Sequence, residues 1–203
     1  MWGTYAGTGA GTLAFVAARL LVAPLGAMDP ELRALRGRVL SVGCGYGVVE
    51  RYLVDINPQV TVEGVERDPR RIAVARWTGA RVPRLTVRAG DALELEGGDF
   101  DAAIAVDLLH HLPAERHAPA LAALARTLRP GGVCLVKEIA TTPRWKYAWN
   151  RLHDLLAAGR DPIFCRAPDD MARLCREQGF NVRHVRRLGR ATPYPHYLLV
   201  LSR

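Results

Sequence analysis

From residue 36 onward, short apolar runs alternate with stretches in which apolar residues recur every three or four positions. That is the pattern of strands covered by helices in a parallel α/β sheet. The runs predict strands over 38–42, 61–65, 85–89, 101–106 and 133–138, with helices over 47–56, 69–77 and 114–128 between them. The fourth run is entered through Asp99-Phe100-Asp101 and is almost unbroken apolar, as a strand covered on both faces should be. Beyond the fifth strand the pattern changes. Residues 141–159 read as a helical stretch rich in Trp145, Tyr147, Trp149, Asn150 and His153, and 168–178 as a helix closed by Gly179. Two last strands, 181–188 and 197–201, flank a turn holding Thr192, Pro193 and Pro195. So short a connection implies a hairpin, and hence an antiparallel final strand.

The stretch from residue 13 to 25 is apolar except for Arg19 and is closed by Pro24 and Gly26. A membrane span needs about 20 apolar residues, and a signal peptide needs basic residues ahead of its apolar run, where this chain has none. Residues 1–29 are therefore expected to form a helical segment packed on the domain as a cap or lid, with peripheral membrane contact as the alternative. Residues 30–203 form the main domain, with a lid-like insertion at 140–166.

Composition adds little to this but bounds the partners. A chain of 203 residues, 49% hydrophobic and 24% charged, suits one folded domain. The net charge of +8 is carried by arginine, Lys137 and Lys146 being the only lysines. A GC-rich genome accounts for that bias as readily as an anionic partner such as a phospholipid surface, nucleic acid or acidic carrier protein. Cys44, Cys134, Cys165 and Cys175 form no C-x-x-C pair, so no zinc or redox motif is indicated, no metal is expected, and a reducing cytoplasm is the expected location.

The strongest chemical signal is Val39-Leu40-Ser41-Val42-Gly43-Cys44-Gly45-Tyr46-Gly47, a buried strand running into a glycine-rich turn that opens a helix. Glycines let a backbone approach a ligand, and the helix N-terminus offers free N–H groups to an anion. The spacing is G-x-G-x-G; Val48 stands where a dinucleotide fingerprint would want a third-position glycine. The anion expected here is an amino-acid carboxylate rather than a pyrophosphate. Gly64-Val65-Glu66-Arg67-Asp68-Pro69 follows at the end of the second strand. Glu66, with Arg67 beside it, is placed to accept from a ribose diol, because Asp68 and Pro69 already fill the cap and first position of the next helix. Gly90-Asp91-Ala92 follows the third strand, Val106-Asp107-Leu108-Leu109-His110-His111-Leu112-Pro113 the fourth, and Arg129-Pro130-Gly131-Gly132 precedes the fifth.

These five segments, in this order, resemble class I S-adenosylmethionine-dependent methyltransferases, and the nearest subgroup is the small-molecule one that includes quinone-biosynthesis enzymes. The resemblance covers residues 36–138 and extends to the final hairpin. It implies a Rossmann-like, seven-stranded, mostly parallel sheet with helices on both faces and an antiparallel last strand. It further implies that Gly43, Gly45 and Gly47 hold the methionine portion of S-adenosylmethionine, Glu66 the ribose, and Asp91 with Ala92 the adenine. Asp107 would lie beside the methionine end, and S-adenosylhomocysteine would be the product. One departure stands out: the family usually carries an acid where this chain has Ser41.

Methyl transfer needs alignment and exclusion of water more than acid–base help, unless the acceptor must lose a proton. His110 and His111 are the candidate bases, and Lys137 and Glu138 are expected at the same rim, paired with each other or facing substrate. Trp145, Trp149 and His153 recur every four residues and so share a helical face. With Tyr194 and His196 they are the candidate lining for a hydrophobic or aromatic acceptor, lipid-like or polyketide-like. Two rival readings remain at this point. One is a nucleic-acid methyltransferase, suggested by Arg183, Arg186, Arg187 and Arg190; the other is a non-catalytic S-adenosylmethionine-binding protein, suggested by Ser41. Oligomeric state is not encoded in any motif.

Overall fold

Strand order, more than any single element, fixes where a ligand can sit. In a computed structural model that describes residues 2–23, 25–149, 162–188 and 193–203, seven strands form one sheet ordered β3-β2-β1-β4-β5-β7-β6. They are β1 (Gly37–Val42), β2 (Val60–Glu66), β3 (Leu85–Ala89), β4 (Phe100–Val106), β5 (Leu128–Ile139), β6 (Asn181–Arg187) and β7 (His196–Ser202). All neighbours pair in parallel except β7, which runs antiparallel to both β5 and β6. The chain steps outward from β1 in one direction and then returns to place β4 on its other side. That reversal opens a crevice at the carboxyl ends of β1 and β4, where open α/β sheets bind ligands.

Helices cover both faces: α1 (Ala10–Val22), α2 (Asp29–Ala34), α3 (Val48–Ile56), α4 (Pro69–Gly79), α5 (His117–Thr127) and α6 (Pro168–Glu177). Residues 144–149 add a further helical stretch. Alternation along the strands sorts the core into two layers. In β7, Leu198 and Val200 join the layer under α2 and α3 with Leu53 and Ile104, while Tyr197, Leu199 and Leu201 join the layer under α5 with Leu121 and Leu124.

The predicted order of strands and helices is the one observed, including the final hairpin. The predicted helix over 114–128 is shorter, because Ala114–Arg116 forms a separate 3-10 turn before α5. Residues 144–149 of the predicted helical stretch 141–159 are helical; Asn150 and His153 lie outside the described residues.

Candidate functional site

β1 enters the glycine turn with three consecutive alternate residues in the left-handed region: Gly43 at φ +72°, Gly45 at +56° and Gly47 at +78°. Side chains are strained there. At Gly43 space forbids one as well, since a Cβ would lie 2.6 Å from Leu108 Cδ1. The N–H groups of Gly43 and Cys44 both donate to the Val65 carbonyl, at 2.8 and 3.1 Å, which clamps the turn to the end of β2. Gly47 caps α3, whose first N–H groups face out of the turn.

Glu66 completes the clamp. Its Oε2 accepts the Gly45 N–H at 2.9 Å, and its Oε1 accepts those of Arg67 and Asp68 at 2.8 and 2.9 Å. A carboxylate offers about four acceptor sites, so about one remains on Oε2 for an incoming hydroxyl. Asp68 accepts from the Arg70 N–H at 2.8 Å and caps α4, with Pro69 in the first helical position, as the sequence predicts. Asp91 accepts from the Leu93 N–H at 2.9 Å and lies 3.6 Å from the Arg67 guanidinium, with Ala92 next to it against the core.

Across the carboxyl ends of β1, β4 and β5 and the amino end of the antiparallel β7 runs a row of buried polar groups on the α1/α3 face. At its centre Asp107 is held at 2.6 Å by Lys137 Nζ and at 2.7 Å by Arg19, the single charge of α1. Burial works against the Asp107 charge, but Lys137 and Arg19 outweigh it and hold its carboxyl well below the usual range. Burial likewise pulls the Lys137 ammonium down, against the attraction of Asp107. His196, 3% exposed, carries two ring nitrogens with no hydrogen-bond partner and is pushed down to about 3 by burial and by Lys137. At the β1 end of the row Ser41 donates to Glu50 of α3 in a very short bond. Glu50 is 2% exposed, its other oxygen has no partner, and burial lifts its carboxyl to about 7 against the Ser41 bond.

Lys137 and Glu138 neither pair nor share a rim. Consecutive strand residues point to opposite faces, and Glu138 lies on the α5 face, where it accepts the N–H groups of Leu108 and Leu109 at 3.1 and 2.7 Å. It also holds His110 Nδ1 at 2.6 Å. Burial lowers the affinity of His110 for a proton, and Glu138, by charge and hydrogen bond, more than reverses this. Of the two candidate bases, His110 is thus a buried, carboxylate-held ring, whereas His111 is exposed with its ring 4.2 Å from that of His110.

The proposed lining residues are spread more widely. Trp145 and Trp149 are 62% and 50% exposed. His196 and Tyr194 stack at 5.8 Å and border a cavity of about 300 Å³, with Thr142, Lys146 and Arg187 on its other walls. His153 is outside the described residues. The N-terminal segment leans on the glycine turn: Tyr5 Oη donates to the Tyr46 carbonyl at 3.2 Å, and Phe15 meets the Tyr46 ring edge-on at 4.9 Å. Sequence reasoning missed Glu50 and gave Arg19 no role. Both carried a signal, since Arg19 interrupts an apolar helix and Glu50 sits among Val48, Val49, Leu53 and Val54 on the buried face of α3. Among the described residues no single helix is long and apolar enough to cross a membrane. Arg186, one of the arginines of the basic stripe, is taken up by Glu31 at 2.6 Å and by the Ala27 carbonyl.

The family described as "Methyltransferase domain" matches residues 13–185, and the chain belongs to it. The ubiquinone biosynthesis O-methyltransferase of Xanthomonas axonopodis pv. citri (strain 306) is 30% identical over 132 residues, 59% of this chain and 54% of that protein. The chain thus spans about half the length of the curated relatives it matches. Among solved structures, the S-adenosylmethionine-dependent methyltransferase SibL in its apo form superposes with TM-score 0.75 at 24% identity, covering 92% of this chain and 56% of that one. An O-methyltransferase of neocarzinostatin biosynthesis, solved with S-adenosylmethionine and 2-hydroxy-5-methyl naphthoic acid, superposes with TM-score 0.74 at 18% identity, covering 94% and 55%. These likenesses establish the fold as that of class I methyltransferases.

Proposed function

We propose that the chain transfers a methyl group from S-adenosylmethionine to a small hydrophobic or aromatic acceptor, through a hydroxyl oxygen, in the reducing cytoplasm. The observation that carries this reading is the clamp at the crevice: a turn of three left-handed glycines, of which Gly45 is tied to Glu66 and Gly43 to the Val65 carbonyl at the end of β2. The geometry fits the cofactor, because the turn is open at Gly45, with nothing within 4 Å of a Cβ position there, and Glu66 keeps an acceptor site. Gly43, Gly45 and Gly47 would hold the methionine portion, Glu66 with Arg67 beside it the ribose, and Asp91 with Ala92 the adenine. Asp107 sits at the methionine end. When bound, the cofactor supplies an electrophilic methyl on a sulfonium.

The chain's own groups then orient the acceptor and take its proton. His111 is the open imidazole at the end of β4 and serves as the base, with His110 and Glu138 fixing the loop that carries it. The acceptor lies toward β5 and β7, where Tyr194, His196, Trp145 and Trp149 line its path. Tyr5 and Phe15 of the N-terminal segment close over the turn at Tyr46.

Calorimetry with S-adenosylhomocysteine, followed by transfer of labelled methyl to a panel of hydroxylated benzoic and naphthoic acids, tests this. Binding that Glu66→Ala weakens by about 1–3 kcal/mol, and turnover that His111→Ala lowers by about a hundredfold, are the expected results. No binding overturns the assignment. Binding without transfer to any acceptor favours a non-catalytic role.

A further inference from the structure

The buried carboxylate under the glycine turn has no work in the site as described so far. Glu50 lies one helical turn past Gly47, on the face of α3 that packs on the sheet, between residues that are otherwise apolar. A leucine or methionine there would be expected to cost the fold less than a carboxylate with one oxygen unpartnered. The groups that face it are Ser41 from β1, Cys44 in the turn, Glu66 from β2, Tyr5 from the N-terminal segment and Arg19 from α1. Arg19 is the only cation among them, and it is engaged with Asp107. Two carboxylates, Glu50 and Glu66, therefore stand against the turn, and among the described residues no cation is bonded to either.

We infer that Glu50, anchored through Ser41, is the carboxylate that receives the ammonium of the cofactor's methionine portion, in place of an acid on β1. The inference rests on the cofactor site proposed above. Ser41 occupies the strand position from which an acid would reach this point, and its hydroxyl donates to Glu50 instead. The negative charge is thus conserved in space while its origin moves from strand to helix. A ligand ammonium supplies the missing partner for the second oxygen and offsets the desolvation of the carboxylate.

The test is calorimetry with two ligands, S-adenosylhomocysteine, which has the ammonium, and 5′-methylthioadenosine, which keeps the nucleoside and thioether but lacks the amino-acid part. Glu50→Gln is expected to weaken S-adenosylhomocysteine by about tenfold or more, the scale of a charged hydrogen bond, and to leave 5′-methylthioadenosine within about twofold. The double variant Ser41→Asp/Glu50→Gln, which returns the acid to β1, is expected to recover most of the loss. Equal weakening of both ligands would mean that Glu50 only props the turn, and an unchanged affinity for S-adenosylhomocysteine would mean that it has no part; either overturns the inference and leaves the cofactor site standing. If Glu50→Gln does not fold, Ser41→Ala carries the test: selective loss of S-adenosylhomocysteine supports the inference and equal or no loss overturns it. A wild-type protein that binds neither ligand overturns the cofactor site itself, and this inference with it.

Discussion

Two carboxylates flank β1 at the mouth of the crevice and are partnered by different means. Glu66, at the end of β2, is answered by three backbone N–H groups from residues close to it in space and in the turn. Asp107, just past β4, is answered by two side-chain cations, Lys137 from β5 and Arg19 from α1. Backbone donors are held by the conformation of the chain and leave part of the carboxylate free for a ligand. Side-chain cations drawn from two other elements neutralise theirs, so Asp107 spends its charge on joining α1, β4 and β5. The β2 side of the crevice is built to bind, and the β5 side is built to hold.

The sharpest way to break that contrast is Asp107→Asn. It leaves Lys137, fully buried, beside Arg19 without a counter-charge, and the expected loss is about 3–5 kcal/mol in urea denaturation. Adding Lys137→Met to it is expected to recover part of the loss, because an apolar pair of similar shape needs no compensation. A loss below about 1 kcal/mol for the single change would show that Asp107 is not the tie described here.

Glu50 sharpens the comparison through pH. Its carboxyl is raised from 4.5 to about 7 in the folded, ligand-free protein. The native state keeps a proton that the unfolded chain releases between those values, so its presence lowers stability progressively as pH rises through that window, and the deficit persists above it. Arg19 moderates the effect and Glu66 adds to it. Glu50→Gln is therefore expected to be more stable than wild type by about 1–3 kcal/mol at pH 8, with the gain vanishing toward pH 4.5. Thermal denaturation of the two proteins at matched pH reads it; a gain that grew on acidification would contradict the burial argument.

The same contrast explains what could be read from the sequence. The glycine turn, Glu66 and the Asp68–Pro69 helix start are local, and their spacing alone dictates left-handed backbone and a capped helix. The strands themselves are legible by their apolar runs, but their order in the sheet is not. The row of Ser41, Glu50, Asp107, Lys137 and His196 depends on which strand lies beside which, and no short motif encodes that. Period-two alternation held the signal that separates Lys137 from Glu138, which the sequence reading set at one rim, and the helical period held the signal that places Glu50 on a buried face, which it missed.

The smallest expected change in stability comes from the tryptophans past β5, and it decides what that region does. Trp149 is half exposed and Trp145 more so, although each could bury a large apolar area if it were core. If they pack the fold, Trp149→Ala should cost about 3–5 kcal/mol, as a core tryptophan does. If they stand ready to cover an acceptor, the cost should stay within about 0.5 kcal/mol, the range of a surface change. In that case KM for an aromatic hydroxy acid accepted as substrate should rise several-fold while kcat and S-adenosylhomocysteine affinity hold, since the acceptor contact is lost equally from the ground and transition states. The exposure favours the second outcome: a ring left half in water contributes little to the folded state, and its apolar surface is available to a ligand that removes it from water.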